Sequence, residues 1–177
     1  MFFFTLQFVI NIDIDINSII LFMDKNFIYF YNNLVRLTRN KDLYKDFNSV
    51  DEFSDRLIYF LIHFAFFFKN FKKKENNEIL QEIYDYTFRQ LELSIREIGY
   101  GDQSINKKMK DYLNLFHDMI DKFHFWETYE NPQKIEILSK FITNHKNLAL
   151  LHDYFENYLE TLKKNTLNSY LKSVINR

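Results

Sequence analysis

The chain contains no cysteine, one proline and two glycines among 177 residues. Without cysteine there is no disulfide framework and no thiolate metal site, and the composition fits a reducing compartment. The formal net charge is −1, which lacks the marked basic excess of a general nucleic-acid binder. No Walker loop, nucleophile elbow or zinc motif is present. At ordinary usage of about 7% glycine, a chain of this length would carry roughly a dozen. Nearly every position therefore does without the residue that permits positive φ.

What is abundant is apolar and aromatic. Hydrophobic residues make up 47% and aromatics 19%, with 21 Phe and 12 Tyr, so the chain is expected to fold. Its length suits one domain able to bury about two-thirds of its unfolded surface. Lys, Asn, Ile, Phe and Tyr displace Arg, Ala, Gly and Pro throughout, as in an AT-rich coding sequence. The aromatic count alone is thus weak evidence of function.

Residues 1–22 stand apart from the rest. Met1 to Ile10 is apolar, yet no Lys or Arg precedes it and no small-residue cleavage site follows, unlike a secretory or transit peptide. Residues 11–17 alternate at period two, like a strand with one polar face. Met23-Asp24-Lys25 reads equally well as a start. The helical domain is placed at residues 23–177.

From Asn26 onward the apolar spacing is helical. Phe27, Phe30/Tyr31, Leu34 and Leu37 form a first amphipathic stretch, followed by a short packed segment at Leu43-Tyr44 and Phe47. Ser49 or Asp51 can cap a second helix reaching about Lys74, with Glu52 and Asp55 in its first turn. Its core, Leu57 to Phe68, is apolar all round but too short to span a bilayer, which needs about 20 apolar residues. It reads as the central helix of a bundle; the rival reading leaves one Phe face open to a partner. Further stripes run through Leu80, Tyr84, Thr87/Phe88, Leu91, Ile95 and Ile98, then Met109, Leu113, Phe116, Ile120 and Phe123. Pro132 opens a fifth helix at a favoured position, with Ile135, Leu138 and Phe141/Ile142 inward. Leu148, Leu151, Tyr154/Phe155, Tyr158 and Leu162 mark a sixth, and Leu171 with Val174 a short last piece. The expected fold is an all-α, single-domain bundle of six to seven helices.

Both glycines fall in one junction, Ile98-Gly99-Tyr100-Gly101-Asp102. Gly99 sits where the third helix must stop, at the C′ position that favours a left-handed residue, and Asp102 or Ser104 can cap the fourth. Ordinary helix punctuation explains that much. It does not explain the charges: Glu97 lies at a helix C-terminus and Lys107, Lys108 and Lys110 near an N-terminus. Each opposes the macrodipole, at a cost of a few tenths to about 1 kcal/mol. Two readings follow, a local network of Glu97 with the lysines or a site for a partner.

The same residues carry a resemblance. Residues 92–110 resemble the signature of the ubiquinol–cytochrome c chaperone family, roughly D-x-x-L-R-E-x-G-V-G-D-x-x-V-x-K-x-M-K. Arg96, Glu97, Gly99, Gly101, Asp102, Lys107, Met109 and Lys110 match it, while Glu92 replaces Asp and Tyr100 replaces Val. An upstream block, Leu43-Tyr44, Asp51, Arg56 and His63, is similar to a second family stretch, with Val50 for its Pro and Asp55 for its Gly. The likeness runs from about Tyr31 to Phe125.

The resemblance implies a non-enzymatic assembly factor for the cytochrome bc1 complex, without cofactor or metal. It would hold newly made cytochrome b at the inner membrane, with a small second chaperone and the translation machinery as further partners. Absence of a transit peptide suggests the cytoplasmic face of a bacterial inner membrane, or the matrix side in mitochondria. The expected partner-binding set is Glu92, Arg96, Glu97, Gly99, Gly101, Asp102, Lys107, Lys108, Met109 and Lys110, with Arg56 and His63. The Phe-rich second helix would line an apolar groove. Phe68, Lys69, Phe71, Lys72, Lys73 and Lys74 would touch anionic lipid, or the lysines simply solubilise a helix end. The alternative function is a lipid- or quinone-binding protein using the Phe-lined interior as its pocket.

Other constellations weigh little. A di-iron bundle needs paired Glu-x-x-His motifs, and Asp121-x-x-His124 with Glu82 and Asp85 supplies one incomplete version. His117 and His124 share a helix face at heptad spacing, as packed or surface histidines do. His63 is expected to be buried and bonded to a neighbour such as Tyr59.

Overall fold

A computed structural model describes residues 16–45, 53–99, 101–143 and 145–175, and the side chains of 16–26 are not described. Among these residues there are seven α-helices and no strand. They are α1 (Ile16–Leu37), α2 (Phe53–Phe71), α3 (Asn77–Glu97), α4 (Asp102–Phe123), α5 (Asn131–Phe141), α6 (Leu148–Lys163) and α7 (Leu167–Ile175). Short 3-10 turns at Lys41–Tyr44, Lys74–Asn76 and Trp126–Thr128 link them. The all-α bundle expected from the spacing is the fold observed.

Several boundaries differ from expectation. The first helix begins at Ile16 rather than near Asn26, so Ile16 and Asn17 are helical; residues 11–15 lie outside the described residues, as do Phe47, Ser49, Asp51 and Glu52. Asp55 does lie in the first turn of α2. Helix α4 starts at Asp102 and stops at Phe123, leaving Trp126 in the following 3-10 turn. Pro132 stands in the first turn of α5, where Glu130 and Gln133 form a reciprocal cap.

Helix α2 is the axis of the molecule. It packs against α4, α6 and α1, and Leu61, Ile62, Phe64, Ala65, Phe66 and Phe67 are wholly buried. A helix apolar on every side is stable only when enclosed by others. Phe66 stacks on Phe123 at 4.4 Å between centroids, with Trp126 edge-on at 5.0 Å and Phe155 at 5.7 Å. Phe64 stacks on Phe116 at 4.9 Å and meets Phe30 at 5.8 Å. Offset and edge-to-face pairs of this kind contribute about 0.5–1.5 kcal/mol each beyond area burial. Rings pack against one another through much of the described interior.

Polar side chains tie outer helices to this core. Buried His63 places Nδ1 2.6 Å from the Tyr59 carbonyl and Nε2 2.9 Å from the Tyr154 hydroxyl. Since a carbonyl only accepts, Nδ1 carries the proton and Nε2 of the neutral ring accepts from Tyr154. Burial pushes its pKa down to about 4, against which the Tyr59 bond acts weakly. Glu156 on α6 accepts from Trp126 Nε1 at 2.9 Å and from Lys134 on α5 at 2.6 Å. That carboxylate fastens α5 and the Trp126 turn to α6.

Candidate functional site

Helices α3 and α4 form an antiparallel hairpin with two distinct ends. At the closed end the chain turns through Gly99, whose φ is +99°, and its N–H bonds the Arg96 carbonyl at 2.9 Å. This is the region glycine occupies without a Cβ penalty. Gly101 is different. Its φ of −71° and ψ of 153° suit any residue, and a Cβ there would meet nothing within 4 Å. Of the two glycines in the junction, Gly99 alone has a positive φ. Gly101 is itself the N-cap of α4, and no side chain caps that helix. Asp102 instead occupies its first turn, where a carboxylate is favoured by the dipole, and Ser104 lies further in.

Arg96 organises the charges of this elbow. Its Nε and Nη2 donate to Glu92 Oε1 at 3.1 and 2.7 Å, and its Nη1 donates to Asp102 across the turn. These bonds, that to Glu92 first, raise the guanidinium pKa above its ordinary value. Among the described residues, no ion pair joins Glu97 to Lys107 or Lys110, the network that was one of the two readings. Glu97, Lys107 and Lys110 are exposed and make no ion pair among the described residues, while Lys108 is half-buried. Arg96 was not assigned to Glu92 and Asp102 from the sequence, although Glu92 and Arg96 stand at the i, i+4 spacing that signals such a pair.

Other expected site residues fall elsewhere. Met109 is buried in the core beside Ile105. His63 is inside the bundle and withdrawn from any partner, because both ring nitrogens are spent on Tyr59 and Tyr154. Arg56 is exposed near the start of α2. Of the expected lipid-contact residues, Phe71 is buried and Lys69 is paired with Glu127, its side chain only 10% exposed. Lys72, Lys73 and Lys74 are exposed, and Phe68 is half-buried. Ile98, expected on the inward stripe, is 55% exposed because α3 ends at Glu97; with Leu93 at 46% it adds apolar surface beside the elbow.

At the far end of the hairpin, Tyr84 bonds His117 Nε2 at 3.1 Å. Tyr84 lies twelve positions before Arg96, about 18 Å along a helix. There an open groove of 670 Å³ is lined by Phe68, Leu80, Tyr84 and Ile120, with Lys72, Gln81, His117 and Asp121 among its rim residues. The groove was not foreseen at this place. The Phe-rich helix was expected to line it broadly, but Phe60, Phe64, Phe66, Phe67 and Phe71 are buried and only Phe68 reaches it. His124, like His117, is on the surface. The described residues hold no group of three or more His, Cys, Asp or Glu disposed around a metal position.

The chain is thus an all-α bundle in which a glycine turn between α3 and α4 carries the ion pairs of Arg96 with Glu92 and Asp102. Residues 45–123 match the family model described as ubiquinol-cytochrome C chaperone, which bears out the family resemblance over the elbow and over Asp51, Arg56 and His63, while Leu43-Tyr44 precede the matched span. The matched segment contains α2, α3, the elbow and α4. No curated protein and no solved structure matches the chain.

Proposed function

We propose that the protein is a non-enzymatic chaperone that binds newly made cytochrome b and promotes assembly of the ubiquinol–cytochrome c reductase complex. The observation that carries this reading is the family match over residues 45–123, which encloses the whole elbow. The geometry supports it: Arg96 is paired with Glu92 and Asp102, while Glu97, Lys107 and Lys110 form no ion pair among the described residues, and Leu93 and Ile98 nearby are exposed. Charges without ion partners among the described residues, on a turn next to apolar surface, suit the charged end of a membrane helix or its connecting loop. No described helix is long and apolar enough to cross a membrane, and association with the inner membrane is peripheral in this reading. Lys73 and Lys74 remain available to anionic lipid, at about 1 kcal/mol per lysine near the surface. A small second chaperone and the translation machinery are further partners.

The test is affinity capture of the tagged full chain from membranes. Recovery of cytochrome b is expected, and Glu97→Lys combined with Lys107→Glu should reduce it roughly tenfold without altering thermal unfolding. Co-purified lipid or quinone without cytochrome b would overturn the reading in favour of a lipid-binding role.

A further inference from the structure

The groove at the open end of the α3–α4 hairpin is apolar below and ionic at its edge. Phe68, Leu80, Tyr84 and Ile120 provide the apolar lining, and Lys72 and Asp121 stand on the rim. Both charges are exposed, and neither forms an ion pair with the other or with any described residue. An anionic membrane surface satisfies Lys72 and is repelled by Asp121. A polypeptide can carry both complementary signs on either side of an apolar residue.

We infer that this groove binds a peptide segment whose apolar side chain enters between Phe68, Leu80, Tyr84 and Ile120, with an acidic residue toward Lys72 and a basic one toward Asp121. The groove lies at the opposite end of the hairpin from Gly99, so a client would be held at two separated points. Such bivalent holding gains avidity from effective concentration without any new contact. The inference rests on the client-binding reading in taking the occupant to be polypeptide. It needs no cytochrome b to be tested, so its failure and the failure of that reading are distinguishable.

Three capped, fluorescein-labelled heptapeptides serve as probes: Glu-Ala-Leu-Phe-Leu-Ala-Lys, the same with Lys at both ends, and the same with Glu at both ends. Because a peptide can bind in either direction, end-charge composition rather than order is the variable. In anisotropy titrations at low salt the native protein should prefer the mixed peptide by about fivefold, the scale of a good exposed ion pair. Lys72→Glu, with two acidic rims, should turn the preference to the Lys-ended peptide, and Asp121→Lys to the Glu-ended one. Both positions are exposed, so unchanged circular dichroism and thermal unfolding should accompany these switches. Absence of binding, or binding indifferent to end charge in all three proteins, would overturn the assignment. So would binding of phosphatidylglycerol vesicles, abolished by Lys72→Glu, in a protein that ignores every peptide.

Discussion

Replacing Gly99 by alanine isolates the torsional demand of the elbow. A Cβ at this position would meet nothing within 4 Å, so no clash contributes. The cost comes from holding an L-residue at φ +99°, about 1–2 kcal/mol for left-handed backbone. That exceeds the roughly 0.4–1 kcal/mol gained by restricting the unfolded chain, and the protein should be less stable by about 1 kcal/mol. For a chain of this size the melting temperature should fall by about 2–4 °C. Gly101→Ala is the matched control. Its φ of −71° is ordinary; the unfolded-state gain and the poorer N-cap nearly cancel, within about 0.5 kcal/mol. Gly99→Asn should fall between the two, since asparagine tolerates the left-handed region. Urea midpoints at constant m report all three. Equal losses at Gly99 and Gly101, or a neutral Gly99→Ala, would refute the assignment of the turn's backbone requirement to one glycine.

Acidification should act through His63, whose folded pKa of about 4 lies below the ordinary 6.5. The unfolded state takes up the proton first, so this contribution is full above pH 6.5 and is lost as pH falls toward 4. It amounts to about 3 kcal/mol at 1.36 kcal/mol per unit, and urea unfolding of His63→Gln should lack that part of the pH dependence. Phe66→Ala should cost about 3–5 kcal/mol by chemical denaturation, because Phe66 is wholly buried among Phe123, Trp126 and Phe155. Phe53→Ala, at an exposed position, should stay within about 0.5 kcal/mol. Glu156→Ala strands the indole N–H of Trp126 and the ammonium of Lys134; a loss of about 1–3 kcal/mol is expected, against about 0.5 kcal/mol or less for Glu136→Ala in the exposed pair with Lys140.

Much of the helical order was legible because helix formation writes a 3.6-residue period into the chain. Leu80, Phe88, Leu91 and Ile95 were placed inward by spacing alone, and all are buried. The same rule placed Ile98 inward and failed, because period says which way a residue faces only while the helix lasts. Gly99 was readable as a helix stop, since a positive φ leaves a residue-type signature. Gly101, two positions on, has an ordinary φ of −71°, since a glycine carries no mark of whether its freedom is used.

The charges show the other limit. Sequence brought Arg96, Glu97, Asp102 and three lysines into one junction but could not say which pair, because pairing depends on how the turn aims each side chain. The geometry gives Arg96 to Glu92 and Asp102 and leaves Glu97, Lys107 and Lys110 to solvent. Likewise the apolar run of α2 announced an enclosed helix, while which phenylalanine surfaces depended on the helices around it. Local spacing and residue type determined the helices and the hinge. The Glu156–Lys134 ion pair, the Tyr154 hydroxyl on His63 and the groove beside Phe68 were decided only when distant helices met, because each depends on distances between residues that the chain order does not contain.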